Sequence, residues 1–175
     1  KMAVKELLGQ LHEVAECPRK QLERYLGEGR RVIAMAPVYG PQEIVHSMGL
    51  VPMGVWGADV EINEAKKYYP AFICSVMQTI LELGIKGEYK GVSAIIIPSL
   101  CDSLKTLGQN WKYAVADIPF IPMTYPQNRK QDYGIKFTRA GYGRVISSLE
   151  VATGARFSEP ALVKSNAIYN EHNRV

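Results

Sequence analysis

The sequence predicts an α/β fold: a doubly wound parallel sheet of about four strands flanked by helices, preceded by a helical lead-in. Three observations lead there. Short apolar runs alternate with stretches of helical periodicity. Gly and Pro punctuate the joints between them. One run, VSAIIIP at Val92 to Pro98, is apolar almost throughout, the pattern of a central parallel strand covered on both faces.

The elements follow in order. Val4, Leu7, Leu8, Leu11 and Val14 recur at helical spacing, Pro18 interrupts, and the pattern resumes over Gln21 to Leu26, so two short helices lead in from Met2. Arg31 to Pro37 (RVIAMAP) reads as a strand ending in Tyr39-Gly40-Pro41, and Gln42 to Met48 as a helix closed by Gly49. Leu50 to Trp56 is the second strand candidate. After the polar segment Gly57 to Lys67, Pro70 is placed to open a long helix through Phe72, Ile73, Val76, Ile80, Leu81 and Leu83, ended by Gly84 and Gly87. The buried strand then feeds a helix from about Leu100 to Ala116. Pro119 to Tyr125 is a short strand, Gln127 to Tyr133 a polar loop, and Phe137 to Thr153 a helix. Glu159 to Asn173 begins another, whose Ile168, Tyr169 and His172 call for a docking surface. The expected organisation is a lead-in over residues 1–30, an α/β domain over 31–154, and over 155–175 a helix leading to a further C-terminal domain.

Composition narrows the function. The 175 residues are 47% hydrophobic and 22% charged, enough for a core without covalent staples. A net charge of +4 comes from 21 basic and 17 acidic residues that are scattered rather than striped, which argues against a nucleic-acid partner. No apolar run approaches the roughly 20 residues that span a bilayer. Lys1 to Gln10 has an amphipathic pattern unlike a secretory signal, so the expectation is a cytoplasmic protein with no membrane partner. The three cysteines form no disulfide framework and leave free thiols, metal ligands or core packing as choices.

Two cysteines stand where chemistry is plausible. Cys101 follows the buried strand in Pro98-Ser99-Leu100-Cys101-Asp102, where Ser99 and Asp102 have capping-box spacing and Cys101 falls in the first helical turn. Cys74 sits in the first turns of the helix opened by Pro70. At both, backbone N–H groups and the helix dipole suit an anionic ligand atom. Their separation of 27 positions excludes a local C-x-x-C pattern but not convergence of two loops. Packing in the core is the competing reading, and Cys17 keeps it. Glu43 opens the helix after Gly40-Pro41, as a ligand-side acid/base or as a complement to the helix dipole. His46, three residues on, shares a face with it or serves as a structural residue. Gly141-Tyr142-Gly143-Arg144 lies in a helical pattern and fails the context of a phosphate loop. Tyr68, Tyr69 and Trp111 fit core packing better than a pocket wall.

Several of these blocks, in the same order, resemble the family that contains the 2-hydroxyacyl-CoA dehydratases and the ATP-dependent benzoyl-CoA reductases, in particular the D-component of 2-hydroxyglutaryl-CoA dehydratase. They are Pro37-Val-Tyr-Gly-Pro-Gln-Glu43-Ile-Val-His46 with Gly49-Leu-Val-Pro52, Tyr69-Pro-Ala-Phe-Ile-Cys74, Leu81-Glu-Leu-Gly84, and Gly91-Val-Ser-Ala-Ile-Ile-Ile-Pro-Ser-Leu-Cys101-Asp102. The match is good from about Leu7 to Tyr125 and loose beyond. The resemblance implies a radical enzyme of two paralogous subunits, each with α/β domains around a 4Fe-4S cluster, charged by an ATP-dependent activator. Its dehydratase branch removes water from an (R)-2-hydroxyacyl-CoA through a thioester ketyl. It also implies that Cys74 and Cys101 are cluster ligands, and that Glu43 and His46, in the P-x-E-x-x-H stretch, border the active site.

The chain departs from the family pattern in two places. No cysteine follows Cys101, where the family takes a further ligand from its C-terminal domain, and Gly40 stands where many relatives have cysteine. The expectation is therefore an N-terminal portion of a longer subunit, without full activity alone. Benzoyl-CoA reductase or double-cluster reductase subunits are the neighbouring readings. A non-catalytic paralogous subunit that scaffolds a partner is the alternative of another class.

Overall fold

The computed structural model describes residues 4–37 and 39–174. Outside the described residues lie the first three of the lead-in pattern, Val38 of the Pro37 to His46 block, and Val175 of the C-terminal segment.

Four strands, β1 (Val32–Met35), β2 (Val51–Gly54), β3 (Ala94–Pro98) and β4 (Phe120–Met123), form one sheet in the order β2-β1-β3-β4, and every neighbouring pair is parallel. The two inner strands are buried at every residue, as their unbroken apolar runs require. Their side chains alternate between two cores. Val32, Ala34, Ile95 and Ile97 face one, whereas Ile33, Met35, Ala94 and Ile96 face the other. Each edge strand carries a proline, Pro52 or Pro122, which lacks the N–H that would recruit another strand.

Helices cover both faces. On the first lie α2 (Pro18–Gly27), α4 (Ser75–Ile85) and α5 (Asp102–Ala114), contributing Leu22, Ile80, Leu81, Leu107 and Trp111. On the second lie α3 (Gln42–Ser47) and α6 (Asp132–Thr153), contributing Ile44, Val45, Val145 and Leu149, with α7 (Glu159–His172) packed on α3. At about 1.5–3 kcal/mol for each fully buried aliphatic side chain, these two layers are the main source of stability.

Several boundaries differ from the sequence reading. The helix α1 (Val4–Glu16) forms, but it buries no residue, and its apolar stripe of Val4, Leu8 and Leu11 stays exposed. Of the two lead-in helices, α2 is the one that inserts a side chain, Leu22, into the core. Pro18 opens α2 at its first turn rather than merely interrupting a pattern, because that turn needs no N–H from it. α4 starts at Ser75, five residues after Pro70, and Phe72 is 87% exposed, so apolarity there does not report a core helix. Gly84 lies inside α4 rather than ending it. A Cβ on Gly84 would stand 2.9 Å from the Trp111 ring and 2.9 Å from Val115, so glycine lets α4 and α5 approach closely. The terminator is Gly87, at φ +79°. α6 begins at Asp132, five residues before the first apolar position of its pattern, because its first turn is largely solvent-facing.

Candidate functional site at the carboxyl edge of the sheet

β1 leads outward to β2, and the chain then crosses back to β3 on the other side of β1. The strand order therefore switches between β1 and β3, where their carboxyl ends diverge and leave a crevice. Its walls are Tyr39 and Gly40 after β1, Leu100 after β3, and Tyr125 and Arg129 after β4, around a pocket of about 370 Å³. Tyr125 closes one side by donating its Oη proton to the Tyr39 carbonyl at 2.8 Å. Burial pushes the Tyr125 phenol well above its ordinary range, with Tyr142 and Glu43 adding to the effect, so it remains a donor at any physiological pH. On the β3 side, Ser99 is fixed by its N–H to the Met123 carbonyl (2.7 Å) and by a 2.9 Å hydroxyl contact with Thr124.

Cys101 is the N-cap of α5, with extended backbone, and its Sγ accepts the Leu104 N–H at 3.4 Å. The capping box expected from Ser99 and Asp102 does not form, because the helix starts at Asp102 itself and the Ser99 hydroxyl is engaged with Thr124. Cys74 is likewise an N-cap, of α4, rather than a residue of the first turns, and its carbonyl takes the N–H groups of Met77 and Gln78. Both thiols are free and exposed, which removes core packing as an account of either. Cys17 also proves to have a helix-end context, as the half-exposed N-cap of α2.

The placement of Cys74 is set by tertiary contacts along the chain before it. Glu82 of α4 is fully buried and accepts the backbone N–H groups of Asn63 (3.2 Å) and Ala65 (2.8 Å), while Lys86 pairs with its other oxygen at 3.0 Å. Burial pushes this carboxyl up. The N–H of Ala65, the Lys86 ammonium and the N–H of Asn63 outweigh burial and hold it below its ordinary range. Asn110 of α5 then donates to the Tyr68 carbonyl at 2.7 Å, and Gln78 to the Ile73 carbonyl at 2.8 Å, next to Cys74. Because α4 and α5 pack side by side on one face of a parallel sheet, their two capping cysteines stand at the same edge.

Glu43 and His46 belong to the opposite face. Glu43 lies in the first turn of α3, at the carboxyl edge and close enough to Tyr125 and Tyr169 to raise both phenols further. His46 lies in the last turn, turned toward α7: its Nδ1 meets Ser165 Oγ at 2.9 Å, and its ring meets Tyr169 edge-on at 5.7 Å. Glu43 and His46 are thus brought to the α3–α7 contact, while Cys74 and Cys101 cap two helices on the other face. Among the described residues no three His, Cys, Asp or Glu side chains converge as a metal site.

Ser165, Glu82 and Tyr125 carry long-range hydrogen bonds that the sequence analysis does not single out. Glu82 left one sign, an acid between Leu81 and Leu83 in an apolar helix. Ser165 and Tyr125 left none, since their partners are distant in sequence.

The chain is thus a doubly wound α/β domain with an open crevice at its topological switch. The family model for the D-component of 2-hydroxyglutaryl-CoA dehydratase matches residues 37–175, and the chain belongs to that family. It is 42% identical over 164 residues to the (R)-phenyllactyl-CoA dehydratase beta subunit of Clostridium sporogenes, covering 93% of this chain and 44% of that relative. It is 42% identical over 174 residues to the lactoyl-CoA dehydratase subunit beta of Anaerotignum propionicum, covering 98% and 46%. It is 34% identical over 172 residues to the (R)-2-hydroxyglutaryl-CoA dehydratase subunit beta of Acidaminococcus fermentans, covering 97% and 45%. The chain thus spans less than half the length of these curated relatives.

Proposed function

We propose that this chain is the N-terminal, cluster-binding part of a beta-type subunit of an (R)-2-hydroxyacyl-CoA dehydratase, which eliminates water to give the enoyl-CoA. The observation that carries the reading is the pair of free, exposed cysteines that cap neighbouring helices at one edge of the sheet. The donor set fits an iron–sulfur cluster in kind, since such clusters take thiolates. It fits in part only, because two cysteines are half of a four-thiolate set, and the remaining ligands come from outside the described residues.

In this reading Cys74 and Cys101 hold a 4Fe-4S cluster, which supplies single electrons when bound. Arg129 gives the crevice a positive charge suited to an anionic acyl-CoA, and the Tyr125–Tyr39 hydrogen bond fixes the wall it enters by. Glu43, at the same edge, and His46, one turn behind it, are the substrate-side polar groups. Residues 1–30 are the lead-in, 31–154 the α/β domain, and 155–175 the approach to a further domain. The partners are a paralogous subunit and an ATP-dependent activator, in an anaerobic cytoplasm. A dehydratase is favoured over a reductase because the dehydratase subunits match at 34–42% identity, whereas a benzoyl-CoA reductase subunit matches at 30%.

The test is anaerobic reconstitution with iron, sulfide and a small thiol to complete the ligand set, followed by metal analysis and visible spectra. The expected result is uptake that is lost in both Cys74→Ala and Cys101→Ala. No uptake by the unsubstituted chain, or uptake indifferent to both changes, overturns the assignment and leaves a scaffolding subunit as the reading.

A further inference from the structure

We propose that Ser165 is a positioning residue that holds neutral His46 as its Nδ1–H tautomer and so leaves Nε2 as a proton acceptor. Ser165 is 1% exposed, and its Oγ has two polar neighbours: the Glu43 carbonyl at 2.8 Å and His46 Nδ1 at 2.9 Å. A serine hydroxyl owns one proton, and a carbonyl oxygen can only accept. At 2.8 Å two oxygens without a proton between them repel, so the hydroxyl proton goes to Glu43. Its lone pair then faces Nδ1, and a second lone pair there would repel in turn. The stable arrangement is a relay from His46 Nδ1–H to Ser165 Oγ–H to the Glu43 carbonyl, with every proton used once.

The consequence lies at the other nitrogen. With Nδ1 committed as donor, neutral His46 carries its lone pair on Nε2, and its ring lines a pocket of about 370 Å³ with Gln42, Ile168, Tyr169 and His172. The edge-on Tyr169 ring limits rotation of the imidazole about this bond. The relay also spans the chain, because Ser165 lies 119 positions from His46, so the docking of α7 on α3 and the protonation pattern of His46 are one event. Assigning the Nε2 acceptor to the dehydratase reaction rests on the reading above; the tautomer itself rests on the two distances alone.

The experiment is a long-range proton–nitrogen correlation spectrum of the whole chain labelled with 15N-histidine, above about pH 8, where an imidazole is neutral. The chain has three histidines, His12, His46 and His172, and the signals absent from His46→Gln identify His46. The expected wild-type spectrum has the His46 proton on Nδ1. In Ser165→Ala the tautomer ratio moves toward Nε2–H by about tenfold, the worth of one net hydrogen bond. Ser165→Cys, close in size but a weak acceptor, moves it the same way and serves if the alanine variant folds poorly. An Nε2–H signal for wild-type His46, or a ratio unchanged in both variants, overturns the proposal. Iron uptake is not read in this experiment, so failure of the cluster assignment leaves its outcome intact, and failure of the tautomer leaves the cluster assignment standing.

Discussion

Replacing Glu82 by Gln removes one negative charge from a fully buried position while keeping its size. In the native chain that carboxylate accepts two backbone N–H groups, at 3.2 Å and 2.8 Å, and pairs with Lys86 at 3.0 Å. Breaking a buried pair from one side costs about 3–5 kcal/mol. The Lys86 side chain is 42% exposed and regains water, which puts the cost near the low end, about 3 kcal/mol. With a urea dependence of about 2 kcal/mol per molar for a domain of this size, the unfolding midpoint falls by about 1.5 M at pH 7. The sign with pH follows from the depressed carboxyl. Its folded value lies below the ordinary 4.5, so its contribution is present at neutral pH and is lost as the pH falls through the folded value. The gap between wild type and E82Q is therefore narrower at about pH 3 than at pH 7. Urea titrations followed by circular dichroism at the two pH values test both statements. A midpoint change under about 0.3 M at pH 7, or a gap that does not narrow in acid, refutes the assignment of Glu82 as the charged anchor of the segment leading to Cys74.

Two further outcomes are expected. Gly84→Ala, which at an ordinary helix position gains about 0.5–1 kcal/mol, here lowers thermal stability by about 1–3 kcal/mol, because the added methyl meets Trp111 and Val115 at 2.9 Å; a raised melting temperature contradicts the close approach of α4 and α5. Brief iodoacetamide treatment of the native apo chain, read by mass spectrometry of peptides, modifies Cys74 and Cys101 ahead of the half-exposed Cys17; protection of either of the first two contradicts their exposure.

The sequence by itself determined the class of fold, the number of strands, the central place of β3, and the position of each α-helix to within five residues. These features are local. A buried parallel strand must be apolar at consecutive positions, and a helix must repeat near 3.6, so each leaves its period in the chain whatever lies opposite. It also marked Cys74 and Cys101 as helix-end residues, with the cap itself misplaced by a residue or more, because capping depends on which hydroxyl is free, and that of Ser99 is taken by Thr124.

The tertiary structure alone decided which of these local pieces meet. No periodicity told that Ser165 would bridge Glu43 and His46, that Glu82 would reach back to Asn63 and Ala65, or that Tyr125 would close on Tyr39. Each of those bonds joins polar atoms that water would satisfy equally well in the unfolded chain. Their geometry is imposed by the apolar layers, which bring α7 onto α3 and α4 beside α5 and exclude the competing solvent. A hydrophobic pattern repeats along the sequence and can be read from it, whereas a single hydrogen bond between distant residues occurs once and exists only after the layers have closed.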